Sequence, residues 1–307
     1  MSVLDGMLRA GLRLMPRRVL WMVARKYVAG ARLEDALAAI ERLRGEGFGT
    51  ILDVLGEDVR DAAVAEAGAV DYIASLDALD GADPDCIVSV KPTHFGLAVD
   101  PALCDRLLRE LCAAAAAHGR FVRFEMEDAT TVDHTLDVFL AVRRDHENLG
   151  CVLQSRLFRT EADLERLLEA VPGLNVRLVK GIYLEPAEIA WTEPGDITAS
   201  YVRLAKRILD ADAFLGLATH DAAMSAEILC LLSDRGLDRG DPARRRYEFQ
   251  CLMGVQPGFA AAMRDQGHLV RTYVPYGKDW HAYSMRRLEH NPEIARHVMR
   301  ALFRRSR

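Results

Sequence analysis

The stretch Arg271-Thr-Tyr-Val-Pro-Tyr-Gly-Lys-Asp-Trp-His-Ala-Tyr-Ser-Met-Arg-Arg-Leu-Glu-His-Asn291 runs from a strand pattern into a helix pattern. Its lead-in, His268 to Val274, is a short apolar run that reads as a buried strand. Pro275 and Gly277 are expected to break that strand, because proline has no N–H to give a ladder and glycine permits a turn. Trp280, Tyr283 and the pair Arg286-Arg287 then fall on the first turns of a helix. Aromatic faces beside paired guanidinium groups suit a small ligand with an apolar ring and a carboxylate, since guanidinium grips carboxylate bidentately. Taken alone, the two arginines also read as solvated charges on a helix surface. The rest of the chain decides between these readings.

Outward from this unit, the same alternation repeats from Arg32 onward. Leu33 to Arg44 is an amphipathic helix, followed by the glycine-rich turn Gly45-Glu-Gly-Phe-Gly49. Short apolar or β-branched runs then recur at Thr50–Leu55, Cys86–Lys91, Phe121–Met126, Cys151–Ser155, Asn175–Lys180, Phe214–Thr219, Tyr247–Leu252 and His268–Val274. Between them lie helical patterns such as Leu103, Leu107, Leu111 and Leu164, Leu167, Leu168, Val171. Strand–helix alternation implies a parallel sheet with right-handed crossovers. Eight such units predict an α/β fold, a (β/α)8 TIM-type barrel with extra N-terminal helices. Its strands are expected to be apolar because both of their faces are buried. Residues 32–307 are read as the barrel and residues 1–31 as an N-terminal amphipathic helical segment.

Composition narrows the function. A barrel of this kind accommodates 307 residues undivided, and with half of them hydrophobic a large core can form. A net charge of -5 argues against nucleic acid as a partner, since general nucleic-acid binders are basic. Cys86, Cys104, Cys112, Cys151, Cys230 and Cys251 form no CxxC pair and sit in apolar runs, so they read as reduced core thiols of a cytoplasmic protein. Leu4 to Val28 alternates apolar residues with Arg9, Arg13, Arg17, Arg18, Arg25 and Lys26. The arginines and Pro16 interrupt it too often for a membrane span, and no cleavage site marks it as a secretory signal. Packing against the barrel is the favoured reading of this segment. Peripheral association with the inner face of a membrane is the other, because a basic amphipathic helix suits an anionic surface.

Polar residues gather at the ends of the strand runs. Lys91 closes the second, Glu125 lies at the end of the third, Gln154 of the fourth and Lys180 of the fifth; Thr219-His220-Asp221 follows the sixth, and Tyr273 nearly closes the eighth. In a barrel these positions converge on the C-terminal mouth, where active sites are built. Other chemistries lack their motifs. There is no GxGxxG after a strand, no GxxxxGK[ST] loop, no HExxH or paired-cysteine metal site, and no GxSxG elbow.

Several of these segments resemble one family. Val176-Arg-Leu-Val-Lys-Gly-Ile-Tyr183 is similar to the RLVKGAY signature of proline dehydrogenases, FAD-dependent (β/α)8 barrels. Tyr273-Val-Pro-Tyr-Gly followed by Tyr283-Ser-Met-Arg-Arg-Leu resembles that family's substrate-binding helix and its lead-in. Ser89-Val-Lys91, Glu125-Met-Glu-Asp128, Val152-Leu-Gln154 and Ala218-Thr-His-Asp221 match further signatures in the same order, from about Arg32 to Asn291. The N-terminal segment resembles that of the single-function bacterial members.

The resemblance implies an enzyme that oxidises L-proline to Δ1-pyrroline-5-carboxylate by hydride transfer to flavin N5, the first step of proline degradation to glutamate. Electrons would pass on to a quinone or other acceptor. It implies that Arg177 lies by the flavin N5 and O4, and that Lys180, Gly181 and Ile182 approach the FAD phosphates or ring edge. Met126, Gln154, Thr219 and His220 would complete the flavin contacts. Lys91, Arg286 and Arg287 would hold the substrate carboxylate, with Tyr273 and Tyr283 walling the ring. Glu125 would pair with Lys91 or an arginine, since clustered buried cations need an acid. Glu125 stands where most members carry aspartate, Ser155-Arg156 where Ala-Tyr is usual, and His290 where a glutamate usually follows Arg-Arg-Leu. A related cyclic amino acid is the alternative substrate, although Tyr283 is expected to crowd a hydroxyl at C4. A lysine Schiff-base aldolase or lyase using Lys91 or Lys180 is the alternative enzyme, and it would require a depressed lysine pKa. A binding protein of the same fold, without flavin, is the third reading.

Overall fold

The strand pattern resolves into β1 (Gly49–Val54), β2 (Ile87–Val90), β3 (Val122–Phe124), β4 (Leu149–Gln154), β5 (Asn175–Val179), β6 (Phe214–Ala218), β7 (Tyr247–Leu252) and β8 (Val270–Tyr276). The computed structural model describes residues 17–237 and 246–290, with the side chains of residues 18, 19, 23 and 286–290 outside that description. All neighbouring strands are parallel and follow chain order, and β1 pairs with both β2 and β8, Ile51 facing Ile87 on one side and Tyr273 on the other. The result is a closed (β/α)8 barrel, as the alternation predicts. Its helices are α1 (Arg17–Ala24), α2 (Leu33–Gly45), α3 (Ala62–Ala82), α4 (Pro101–Ala117), α5 (Val132–Arg143), α6 (Thr160–Ala170), α7 (Pro194–Asp210), α8 (Ala222–Asp234), α9 (Pro257–Asp265) and α10 (Trp280–His290).

Local chemistry starts these helices. The Asp61 carboxylate accepts the Ala63 N–H at 2.8 Å to open α3, and Asp100 accepts that of Ala102 at 2.9 Å to open α4. Pro101 follows Asp100 at the one turn where its missing N–H is not needed. The core fills the annulus between helices and strands. On α4, Cys104, Leu107, Leu108, Leu111, Cys112 and Ala115 repeat at helical spacing and are all buried. They belong to the same cluster as Val88, Val122 and Phe124 of the strands. Each such leucine contributes roughly 1.5–3 kcal/mol by leaving water.

Three expectations need correcting. Inside the barrel the strands are not apolar: Asp53, Ser89, Arg123, Arg177, Glu248, Gln250 and Arg271 are all buried there. They are tolerated because they are paired, as buried charges must be. Arg271 meets Glu248 at 3.2 Å and Asp85 at 3.0 Å, and Arg123 Nη1 donates to the carbonyls of Cys151 and Asn175, both at 2.8 Å. Pro275 does not break the last strand; β8 starts later than expected and continues to Tyr276. Pro275 lies beside Asp53 of β1, but its polar edge faces the other side, where β7 has ended with Leu252 opposite Tyr273, so no ladder asks it for an N–H. Its carbonyl instead accepts the Ala29 N–H at 2.9 Å. The thiols are core residues with one exception, Cys230, which is exposed on α8.

The described part of the N-terminal segment is docked. Leu20 and Ala24 of α1 are buried, and the Trp21 and Trp280 rings meet edge to face at 4.8 Å. Gly277 N–H donates to the Gly30 carbonyl at 3.0 Å, stitching this arm to the end of β8. The rest of the basic stretch, residues 1–16, lies outside the described residues. Among the described residues no helix is long and apolar enough to cross a membrane.

Candidate active site

The C-terminal mouth of the barrel gathers two charge clusters. The first centres on Arg177, carried inward by β5. Its Nη1 donates to Glu125, just past β3, and lies 3.5 Å from Ser89 Oγ on β2, which donates to the same Glu125 oxygen. Its Nε donates to Gln250 Oε1 on β7 at 2.5 Å. Its buried Nη2 has no hydrogen-bond partner among the described residues. The guanidinium carbon sits 5.3 Å from the centre of the Tyr273 ring, a cation–π contact from β8. Burial pushes the Glu125 carboxyl up, but the Arg177 charge and the hydrogen bonds from Ser89 and Arg177 outweigh it and hold the pKa below the usual value.

Lys91 anchors the second cluster. Its Nζ lies 3.7 Å from Asp53 Oδ2 and 3.6 Å from Glu57 Oε2. Both distances exceed a good charge-assisted hydrogen bond, and neither Lys91 Nζ nor the Asp53 oxygens have a hydrogen-bond partner among the described residues. Burial raises the Asp53 pKa despite Lys91. Burial pulls the Lys91 pKa down, but Asp53 and Glu57 more than reverse this and hold the lysine charged. Of the two partners expected for Glu125, the structure selects an arginine, Arg177, and gives Lys91 to Asp53 and Glu57. Backbone position explains the choice: Glu125 follows β3, where its N–H donates to the Val90 carbonyl, and its side chain reaches across the mouth toward β5.

Gln154, Gly181, Lys180, Thr219 and His220 line the neighbouring sector. Gln154 Nε2 donates to the Glu127 carbonyl at 2.7 Å, which directs Oε1 toward Gly181. Gly181 has φ +100 and would place a Cβ 2.9 Å from that oxygen, so this turn admits only glycine without strain. Lys180 Nζ donates to Asp221 at 2.5 Å, and Asp221 also caps α8 through the Ala223 and Met224 N–H groups. Thr219 Oγ1 accepts the Asp221 N–H, and His220 Nε2 accepts the Leu252 N–H at 3.0 Å, which places that ring's proton on Nδ1 when neutral. Ile182 is exposed, whereas Met126 packs into the core. Arg156 reaches sideways, its Nη1 donating to the Tyr183 carbonyl at 2.6 Å and bracing the loop after β5. Tyr283 stands partly buried on α10, and the Arg286 and Arg287 side chains lie outside the described residues.

Sequence reasoning missed Asp53, Glu57, Glu127 and Gln250. Asp53 was visible as an acid inside an apolar strand, and Glu248 with Gln250 as a polar pair two apart on one face of β7. Glu127 accepts from the Thr93 N–H at 2.8 Å and from its hydroxyl at 2.7 Å, while Thr93 Oγ1 accepts the Asp58 N–H at 2.8 Å. It thereby ties the loops that carry Lys91 and Glu57. Burial pushes the Glu127 carboxyl up to about 7 against those hydrogen bonds.

A closed barrel with paired buried charges at its C-terminal mouth is the architecture of a (β/α)8-barrel enzyme. The chain belongs to the proline dehydrogenase family, whose family model matches residues 36–300. It is 33% identical to proline dehydrogenase of Deinococcus radiodurans over 293 residues, 94% of this chain and 92% of that one. It is 31% identical to proline dehydrogenase 2 of Bacillus subtilis over 271 residues, 88% of this chain and 87% of that one. Among solved structures, proline utilization A from Bdellovibrio bacteriovorus, inactivated by N-propargylglycine, superposes with a TM-score of 0.78 at 24% identity. That match covers 87% of this chain and only 32% of the longer protein, and it speaks for the fold.

Proposed function

We propose that this chain oxidises L-proline to Δ1-pyrroline-5-carboxylate with FAD as its cofactor, and that electrons leave through a quinone-type acceptor. The observation that carries the reading is the buried Arg177 guanidinium, oriented by Glu125 and Gln250, with Nη2 still to be matched to an acceptor. Together with the glycine-only turn at Gly181 beside Gln154, this fits a flat, acceptor-rich ring system, and the order of signatures along the chain fits FAD in particular. When bound, FAD supplies the hydride acceptor, which no side chain here can replace.

The chain's own residues then divide the work. Arg177 supplies a fixed positive charge where negative charge develops, and Glu125 keeps that charge in place. Lys91, with Arg286 and Arg287 on α10, holds the substrate carboxylate. Asp53, Glu57 and Glu125 facing Lys91 and Arg177 leave acid in surplus, which the arginine pair would offset. Tyr273 and Tyr283 wall the ring and exclude water. Lys180, Gly181, Ile182, Met126, Gln154, Thr219 and His220 are the proposed cofactor contacts, with Met126 acting from the core side. Residues 32–307 are assigned to the cofactor- and substrate-binding unit and residues 1–31 to an N-terminal segment, whose described part buries Leu20 and Ala24. The Schiff-base alternative is disfavoured for Lys91, because its acid partners hold it protonated whereas a nucleophilic lysine needs a lowered pKa. FAD-loaded protein is expected to reduce a soluble quinone with L-proline and far more slowly with 4-hydroxyproline. Turnover of neither, with FAD bound, refutes the reading.

A further inference from the structure

From the exposed Asp85 at the N-terminal mouth, polar side chains that are buried from Arg271 to Arg177 run through the barrel interior in an unbroken chain to its C-terminal mouth. Arg271 Nη2 on β8 donates to Asp85 at 3.0 Å, and Arg271 Nε donates to Glu248 on β7 at 3.2 Å. Gln250 Nε2 donates to Glu248 Oε1 at 2.6 Å, Gln250 Oε1 accepts from Arg177 Nε at 2.5 Å, and Arg177 Nη1 reaches Glu125. Arg177 and Gln250 belong to β5 and β7, so their contact must cross β6. Gly216 allows this, for a Cβ there would lie 2.8 Å from Gln250 Nε2 and 3.4 Å from the Arg177 Cα.

An amide offers an acceptor on one side and donors on the other. Turned over, Gln250 would set its NH2 against the Arg177 Nε–H, donor against donor. Glu248, an acceptor only when ionised, forbids that arrangement by taking the NH2 itself. Arg271, itself bonded to Asp85, holds Glu248 in turn. We propose that Gln250, oriented by Glu248, is a positioning residue for Arg177, fixing the guanidinium so that Nη1 stays on Glu125 and Nη2 stays directed at the bound ligand. Without the Nε anchor the guanidinium is held on one edge only and can pivot. The proposal rests on the reading that Arg177 faces the flavin.

The test is a double-mutant cycle on the FAD-loaded protein. Gln250→Met keeps an unbranched side chain of similar length and removes the amide. Single-turnover flavin reduction by proline is expected to slow on the order of tenfold to a hundredfold, because displacing a catalytic group by about 1 Å can cost that much. FAD content and the proline concentration for half-maximal rate should not change. In an Arg177→Lys background, which has no Nε–H to anchor, the same substitution is expected to change the rate by less than about twofold, as for two residues acting as one unit. Equal slowing in both backgrounds, or no slowing in the first, overturns the proposal. The exchanged pair Glu248→Gln/Gln250→Glu keeps volume and total charge and matches donors to acceptors, so it should fold and recover most of the rate; a rate as low as that of Gln250→Met contradicts the proposal. Solvent exchange of the Arg177 Nε–H, followed by nitrogen-edited NMR in the full chain with and without FAD, separates the two readings. Slow exchange that Gln250→Met accelerates supports the anchor even if the protein takes no flavin, and exchange unchanged by that substitution overturns it.

Discussion

Arg177 and Glu125 meet across the barrel mouth, Nη1 of one donating to Oε1 of the other, and Ser89 donates to the same oxygen. The pair joins β5 to β3 and places an ionised carboxylate beneath a guanidinium that has one edge to spare. Glu125→Gln keeps the shape and removes the charge. It should lower kcat for proline with FAD still bound, and it should destabilise the fold by about 3–5 kcal/mol, the range for stripping one partner from a buried pair. Chemical denaturation and steady-state kinetics on the same preparation read both. Glu125→Asp tests the extra methylene: if the longer arm is what reaches Arg177, aspartate is the worse residue here.

Lys91 is held charged by Asp53 and Glu57 but makes no close hydrogen bond to either, so its effect should appear in substrate binding. Lys91→Met is expected to raise KM for proline on the order of thirtyfold to a thousandfold, as for loss of a desolvated charge contact of about 2–4 kcal/mol. FAD content should be unchanged. Arg286→Ala and Arg287→Ala should act in the same direction. A KM unmoved by all three would remove them from the substrate site.

Glu127 gives the fold a pH dependence. Its folded pKa, pushed up to about 7, lies above the unfolded value, so its contribution to stability is full below about pH 4.3 and is lost as pH rises through 7. The span is about 4 kcal/mol at most. The wild-type Tm should therefore fall relative to Glu127→Gln between pH 5 and 7.5. The comparison isolates Glu127 from His94, whose burial lowers its pKa to about 4 and acts in the opposite direction. Parallel Tm profiles for the two proteins would be the contrary result.

Trp21 buttresses α10 through Trp280. Trp21→Ala removes an aromatic pair worth about 0.5–1.5 kcal/mol beyond its buried area. The helix that carries Tyr283 should loosen, raising KM for proline while the Arg177 cluster keeps its FAD. Arg25→Ala, on the exposed side of the same arm, serves as the control and should change neither.

The barrel was legible in the sequence because each strand is a short apolar run between helical periods, and all eight runs became strands. The end of β8 was not, because whether proline breaks a strand depends on whether a neighbour runs along the edge its missing N–H would face, and on that edge β7 stops at Leu252 while β1 continues on the other. The mouth residues were legible as polar groups at strand ends. Their pairing was not: Glu125 binding Arg177 and Lys91 facing Asp53 depend on which side chains cross the mouth, and sequence order carries no sign of that. The polar interior was written in the alternation of Glu248 and Gln250, and the rule that parallel strands are apolar concealed it. That rule yields here because each buried charge has a partner.

The most direct test of the account is an anaerobic titration of the FAD-loaded protein with L-proline, followed by its flavin absorbance. The account predicts that the flavin band bleaches on adding proline, that it returns on adding a quinone, and that Arg177→Met sharply slows the bleaching. A protein that takes up FAD and keeps its flavin band unchanged at saturating proline would contradict it.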